Sequence, residues 1–151
     1  MFVKNINFIT NEIMMNTLSS LLIEGETLQT PFYAIYEERR QKHNGFCFIG
    51  TTESSLLIEV LNVHATRVEW TTRKPLAEIK KVKVKKSLFI DYIIIKITFY
   101  DGNSIKIRAS TKSLSSGFIN QDWHLSCFIE RLRDESNKRK KTSSMAMAGL
   151  R

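Results

Sequence analysis

Hydrophobic and polar residues alternate most regularly between positions 79 and 108. Val82 and Val84 alternate with Lys81, Lys83 and Lys85. Ile93, Ile95, Ile97 and Phe99 alternate with Ile94, Lys96 and Thr98, and Ile105 and Ile107 with Lys106 and Arg108. A period of two sends successive side chains to opposite faces, so three half-buried strands with basic residues outward are expected. Ile79 falls out of phase with the valines, which predicts a bulge near Lys80. Asp101-Gly102 lies between the second and third of these strands and predicts a tight hairpin, because glycine accepts the positive φ such turns require.

Upstream, Phe32, Ala34 and Tyr36 share one face of an expected strand, opposite Tyr33 and Ile35. In a second, Phe46, Phe48 and Gly50 oppose Cys47 and Ile49. The polar run 37–45 reads as the loop between them. A third strand is expected over 56–61 and a fourth over 68–71, with Arg73-Lys74-Pro75 breaking the chain because proline cannot donate to a ladder. Two stretches have helical spacing. Met14, Leu18, Leu21 and Leu22 predict a helix over 11–24 with Gly25 at its end. Leu125, Phe128, Ile129 and Leu132 predict another over 121–136, with Asn120 or Asp122 as N-cap. The second stripe reads as core. The first is expected to dock on the sheet, the alternative being an amphipathic contact with something else.

These elements divide the chain into an N-terminal extension over 1–19, partly helical, a domain over 20–136, and a disordered basic tail over 137–151 that contains Lys138-Arg139-Lys140-Lys141. Met14 and Met15 are alternatives to Met1 as the start. The chain has 151 residues and is 42% hydrophobic, enough for one domain with a real core. No run approaches the ~18 apolar residues that span a bilayer. The first residues lack the uninterrupted apolar segment of a secretory signal. Cys47 and Cys127 form no CxxC and no disulfide framework, which fits a reducing cytoplasm. The net charge of +8 changes the picture because it is uneven: residues 73–112 alone carry an excess of +8, and charges elsewhere cancel. An anionic partner would be drawn to that segment.

About seven strands followed by one amphipathic helix is the order of a PH-like (pleckstrin-homology-like) domain, and particular stretches also resemble the bacterial PH-like families. They are Leu22-Ile23-Glu24-Gly25-Glu26, Phe32-Tyr33-Ala34-Ile35-Tyr36-Glu37, Asn44-Gly45-Phe46 leading to Gly50-Thr51-Thr52, 79–88, and Ile97-Thr98-Phe99-Tyr100-Asp101-Gly102-Asn103. The resemblance implies a mainly β fold: a strongly bent, seven-stranded antiparallel barrel capped by the C-terminal helix, here with an extra N-terminal helix. It implies little about function, since the matching residues shape strands and turns. Phosphoinositide-binding PH domains place a lysine at the end of the first strand and a basic-x-Arg pair early in the second. Here Arg39, Arg40 and Lys42 crowd the first loop, while the second strand has no basic residue.

Catalysis needs converging groups, and the chain offers few. Cys47 lies four residues from His43, but across a loop and a strand, so a small buried hydrophobe is the simpler reading. His43, His64 and His124 have no spaced Cys, His or carboxylate partners to make a metal site. No glycine-rich phosphate loop is present. No enzyme activity, metal or cofactor is therefore expected. Lys81, Lys83, Lys85, Lys96, Lys106 and Arg108 are expected to form one outward cationic patch, with Arg39, Arg40 and Lys42 as a second basic group. The patch reads either as a solvated face that protects the sheet from aggregation or as a binding surface. As a binding surface it would serve a non-enzymatic module that engages a protein or an anionic membrane surface, in the cytoplasm or peripherally at the inner face of the membrane. A nucleic-acid binder using the same patch is the alternative. Single-strand readers interleave exposed aromatics with their basic residues, whereas Tyr92 and Tyr100 only bracket this one. The oligomeric state stays open.

Overall fold

The computed structural model describes residues 10–37, 45–62, 64–86, 92–110 and 120–149, with side chains through Lys138. In chain order its elements are α1 (Asn11–Ser19), β1 (Gln29–Glu37), β2 (Gly45–Thr51), β3 (Ser55–Leu61), β4 (Val68–Pro75), a 3-10 turn (Leu76–Glu78), β5 (Ile79–Lys86), β6 (Tyr92–Phe99), β7 (Ser104–Ser110) and α2 (Gln121–Gly149). The strands form one antiparallel sheet in the order β4-β3-β2-β1-β7-β6-β5, whose edges are β4 and β5. The fold is thus mainly β, an open seven-stranded sheet with one helix at either end of the chain.

The alternating segment folds as its pattern dictates. Ile93, Ile95, Ile97 and Phe99 of β6 are buried, as are Ile105 and Ile107 of β7, while Lys96 and Lys106 are exposed. The β5–β6 register shifts between Ile79 and Lys81, which is the bulge near Lys80. At the β6–β7 turn Gly102 has φ +89, a conformation that costs glycine little. The Asp101 carboxylate accepts from the Asn103 amide at 2.9 Å, and the Phe99 amide donates to the Asn103 carbonyl at 2.9 Å.

Inward residues of all seven strands join one apolar cluster with the α2 stripe Leu125, Phe128, Ile129 and Leu132, and Phe128 meets Phe32 edge-on at 4.7 Å between ring centroids. Polar contacts fix α2 along this core. Among the described residues β1 pairs with β7 over Ile35–Glu37, and further up β1 the Gln121 side chain takes the place of a partner strand. It donates to the Tyr33 carbonyl at 2.8 Å and accepts from the Tyr33 amide at 3.2 Å. Arg131 reaches the Gln29 side chain and the Glu53 carbonyl, and the Ser136 hydroxyl donates to the Lys80 carbonyl at the bulge.

Three boundaries differ from the sequence reading. α1 ends at Ser19 rather than near residue 24, because the Ser20 hydroxyl donates to the Thr17 carbonyl and the next amides make i→i+3 turns, Leu21 to Leu18 and Leu22 to Ser19. β4 runs through Arg73 and Lys74 to Pro75 instead of stopping at 71. It is an edge strand, where a terminal proline withholds no ladder bond. α2 continues past Ser136 to Gly149, so the stretch expected as a disordered tail from 137 is helical that far. No proline interrupts it, and its Lys, Arg, Ala and Met residues favour helix. No helix among the described residues is long and apolar enough to cross a membrane.

Truncating Phe128 removes the side chain at the centre of this packing. Phe128→Ala is expected to cost ~3–5 kcal/mol, as for other large-to-small core changes. Denaturant unfolding checks this, and an unchanged midpoint would mean the stripe is not what closes the core.

Candidate functional site

Away from the core the sheet has an outward face, and it divides into two unlike halves. Over β1, β2 and β3 it is apolar and lies under α1. Met14 and Leu18 are buried there with Phe48, Leu57 and Leu61, so the N-terminal stripe docks on the sheet. Thr10 caps the helix, accepting from the Ile13 amide at 3.2 Å. The close approach depends on Gly50, where a Cβ would come within 2.7 Å of the Leu28 side chain and 3.6 Å of Leu18.

The other half, on β5, β6 and β7, carries the basic residues. Lys83 stands opposite Lys96, and Lys96 opposite Lys106, so three ammonium groups share one row across three strands. Directly opposed residues have Cβ atoms about 4.5–5.5 Å apart, and like charges at that spacing repel. The adjacent rows are Lys81–Thr98–Ser104 and Lys85–Ile94–Arg108. The six residues of the expected patch therefore come together: Lys81, Lys83, Lys85, Lys96 and Lys106 are exposed and Arg108 is half-buried.

Among the described residues one carboxylate pairs with the basic residues of this half. Glu37 on β1 lies 3.4 Å from the Lys106 ammonium and 3.7 Å from Arg108, whose guanidinium also stacks 5.2 Å from the Tyr92 ring centroid. Among the described residues no carboxylate pairs with Lys81, Lys83, Lys85 or Lys96. Ile94 sits half-buried between Lys85 and Arg108, and the apolar cluster under α1 does not extend to it. Arg39, Arg40 and Lys42, the second basic group, lie outside the described residues, as does His43.

Glu59 was hidden in the sequence. It interrupts the apolar run Leu56-Leu57-Ile58-Glu59-Val60-Leu61, and that single acid in a strand buried on both faces is the signal that could have exposed it. Its carboxylate is 2% exposed, and Oε1 has no hydrogen-bond partner. Burial, opposed by the Thr17 hydroxyl, pushes its pKa up to about 7.

Among the described residues, those weighed for catalysis do not converge. Cys47 is fully buried in the main core and Cys127 is half-buried on α2. His64 is exposed in the turn after β3, and His124, its Nδ1 buried and unpartnered, has its pKa lowered by burial. Among the described residues no three His, Cys, Asp or Glu side chains gather as a metal site would need. Burial pushes the Cys47 thiol well above its usual range, so it stays a protonated thiol at neutral pH. Native protein at pH 8 is expected to leave Cys47 unmodified by iodoacetamide, while urea-unfolded protein reacts. Mass spectrometry reads the outcome, and native labelling at the unfolded rate would contradict it.

No family model and no curated protein matches this sequence. Solved structures do match, in fold. The C-terminal domain of an unknown protein from Leishmania infantum aligns with a TM-score of 0.54 at 16% identity, over 80% of this chain and 95% of that one. The hSac2 domain from the human phosphoinositide phosphatase Sac2 aligns with a TM-score of 0.56 at 12% identity, over 85% of this chain and 80% of that one. At such identities the likeness is one of fold alone.

Proposed function

We propose that this chain is a PH-like, non-enzymatic binding module that docks an acidic surface, of a protein or a membrane, on the lysine half of its sheet. One observation carries this reading: Lys83, Lys96 and Lys106 oppose one another across three strands, and among the described residues the carboxylate beside them is that of Glu37. Repulsion of that kind lowers stability without helping the core, and an anionic partner relieves it. A protective lysine fringe needs exposed charge along an edge strand, which Lys83 of β5 supplies; it does not need Lys96 and Lys106 in register with it on the two strands behind. The PH-like assignment is supported by the order of elements, seven antiparallel strands and then a helix whose stripe meets the inward residues of all of them. The module acts in the cytoplasm, at the inner membrane face where its partner is lipid.

Nucleic acid is the weaker alternative. Tyr92 stacks with Arg108, and Tyr100, though 54% exposed, stands at the β6–β7 turn away from the lysine rows. Neither offers a base-stacking platform among the lysines.

Lys96→Glu separates binding from stability. It replaces the middle charge of the row and creates two opposite-charge pairs, each worth about 0.2–1 kcal/mol, so the melting temperature is expected to hold or rise. Binding to phosphatidylserine-containing vesicles at ~0.15 M salt is expected to weaken about thirtyfold, from two charge units at ~1 kcal/mol each. An acidic protein partner, captured from lysate, is expected to be lost in the same variant. Retention of every partner by a stably folded Lys96→Glu protein would make the lysines a solvated face.

A further inference from the structure

Glu59 lies on the outward side of β3 beneath α1, flanked in register by Phe48 of β2 and Thr71 of β4. An ionised carboxylate held there without a full set of hydrogen bonds is costly, and a neutral acid much less so. α1 has nine residues, too few to be stable in water alone, so its order rests on docking. The helix is therefore the part of the fold that yields most easily to a charge beneath it. We propose that α1 is a proton-governed cover: it stays docked while Glu59 is a neutral acid and lifts off the sheet when Glu59 ionises, letting water reach the carboxylate.

Among the described residues the surrounding charges do not offset the ionised form. α1 turns Ile13, Met14, Thr17 and Leu18 towards the sheet, and its one acid, Glu12, is exposed in the first turn. β2 contributes Phe48, with the Tyr33 phenol of β1 beyond it. On β4, Glu69 is exposed, and Arg73 is committed to the Glu26 carboxylate and the Leu21 carbonyl. The turn after β3 carries His64 and Arg67, both exposed. Release of α1 uncovers Phe48, Leu57 and Leu61 on the same sheet face as the lysines. Proton-governed docking is independent of whether those lysines bind an anion.

The sign follows from the docked state holding its proton more tightly. Below the ordinary carboxyl value of 4.5 both states are protonated and docking is strongest. From there to about 7 docking weakens tenfold per pH unit, and above that it is flat, a total of roughly three hundredfold. Hydrogen exchange on the full chain tests this. Between pH 5 and pH 8, protection factors of α1 amides are expected to fall about a hundredfold while those of β5, β6 and β7 hold, and Glu59→Gln is expected to keep α1 protected throughout. Constant α1 protection in the wild type, or an equal fall in the glutamine variant, would sink the idea. Should that variant not fold, carbon-13 titration of Glu59 in the wild type decides: a midpoint near 7 supports the cover, and one near 4.5 overturns it.

Discussion

Burial of the α2 stripe against inward side chains from all seven strands is the interaction on which the remaining features rest. The sheet is open, and among the described residues β1 and β7 share three paired positions. Leu125, Phe128, Ile129 and Leu132 join the inward rows on both sides of this junction into one core, and Gln121 hydrogen-bonds β1 beyond it. With the inward face consumed in this way, whatever the protein recognises must meet the outward face, the loops or the helix ends.

The outward face shows how one sheet can carry two surfaces. Strands β2 and β3 are buried on both sides, so their outward residues are apolar and need α1 as a roof. Strands β5, β6 and β7 are buried on one side only, and lysines occupy the other. β1 is the seam. Its Ile35 pairs with Arg108 on one side and Phe46 on the other, and its Glu37 is the acid that meets Lys106 and Arg108.

What could be read from the sequence follows from the same division. Where one face is wet, alternation survives, and the β5, β6 and β7 pattern, the Lys80 bulge and the Asp101-Gly102 turn were all legible. The Phe128 stripe was legible because a helix on a core must repeat every three to four residues. In β3 the alternation vanishes, so the period does not show that Glu59 lies under a helix while Ile58 faces the main core; the lone acid in the apolar run is the one mark it leaves. The end of α1 turns on a serine hydroxyl, the end of β4 on its edge position, and the length of α2 on the absence of a breaker. Those are tertiary or negative signals that a hydrophobic period does not carry. The six-residue patch was legible as outward charge, but the opposition of Lys83, Lys96 and Lys106 depends on a register that the bulge at Lys80 shifts by one residue.

The Gln121–Tyr33 clamp joins residues 88 positions apart, and β1 finds β7 only after five other strands have been made. During synthesis at about 5–20 residues per second, β1 through β4 therefore wait roughly ten seconds for the elements that cover them. Their inward rows, Phe32, Ala34 and Tyr36 among them, are apolar and strand-forming throughout that interval. Such a nascent chain presents a half-sheet with two bare edges, the kind of surface chaperones capture and aggregates grow from. The core cannot close before the Leu125–Leu132 stripe has been made, so a truncation that removes this stripe is expected to leave the chain at the vulnerable stage.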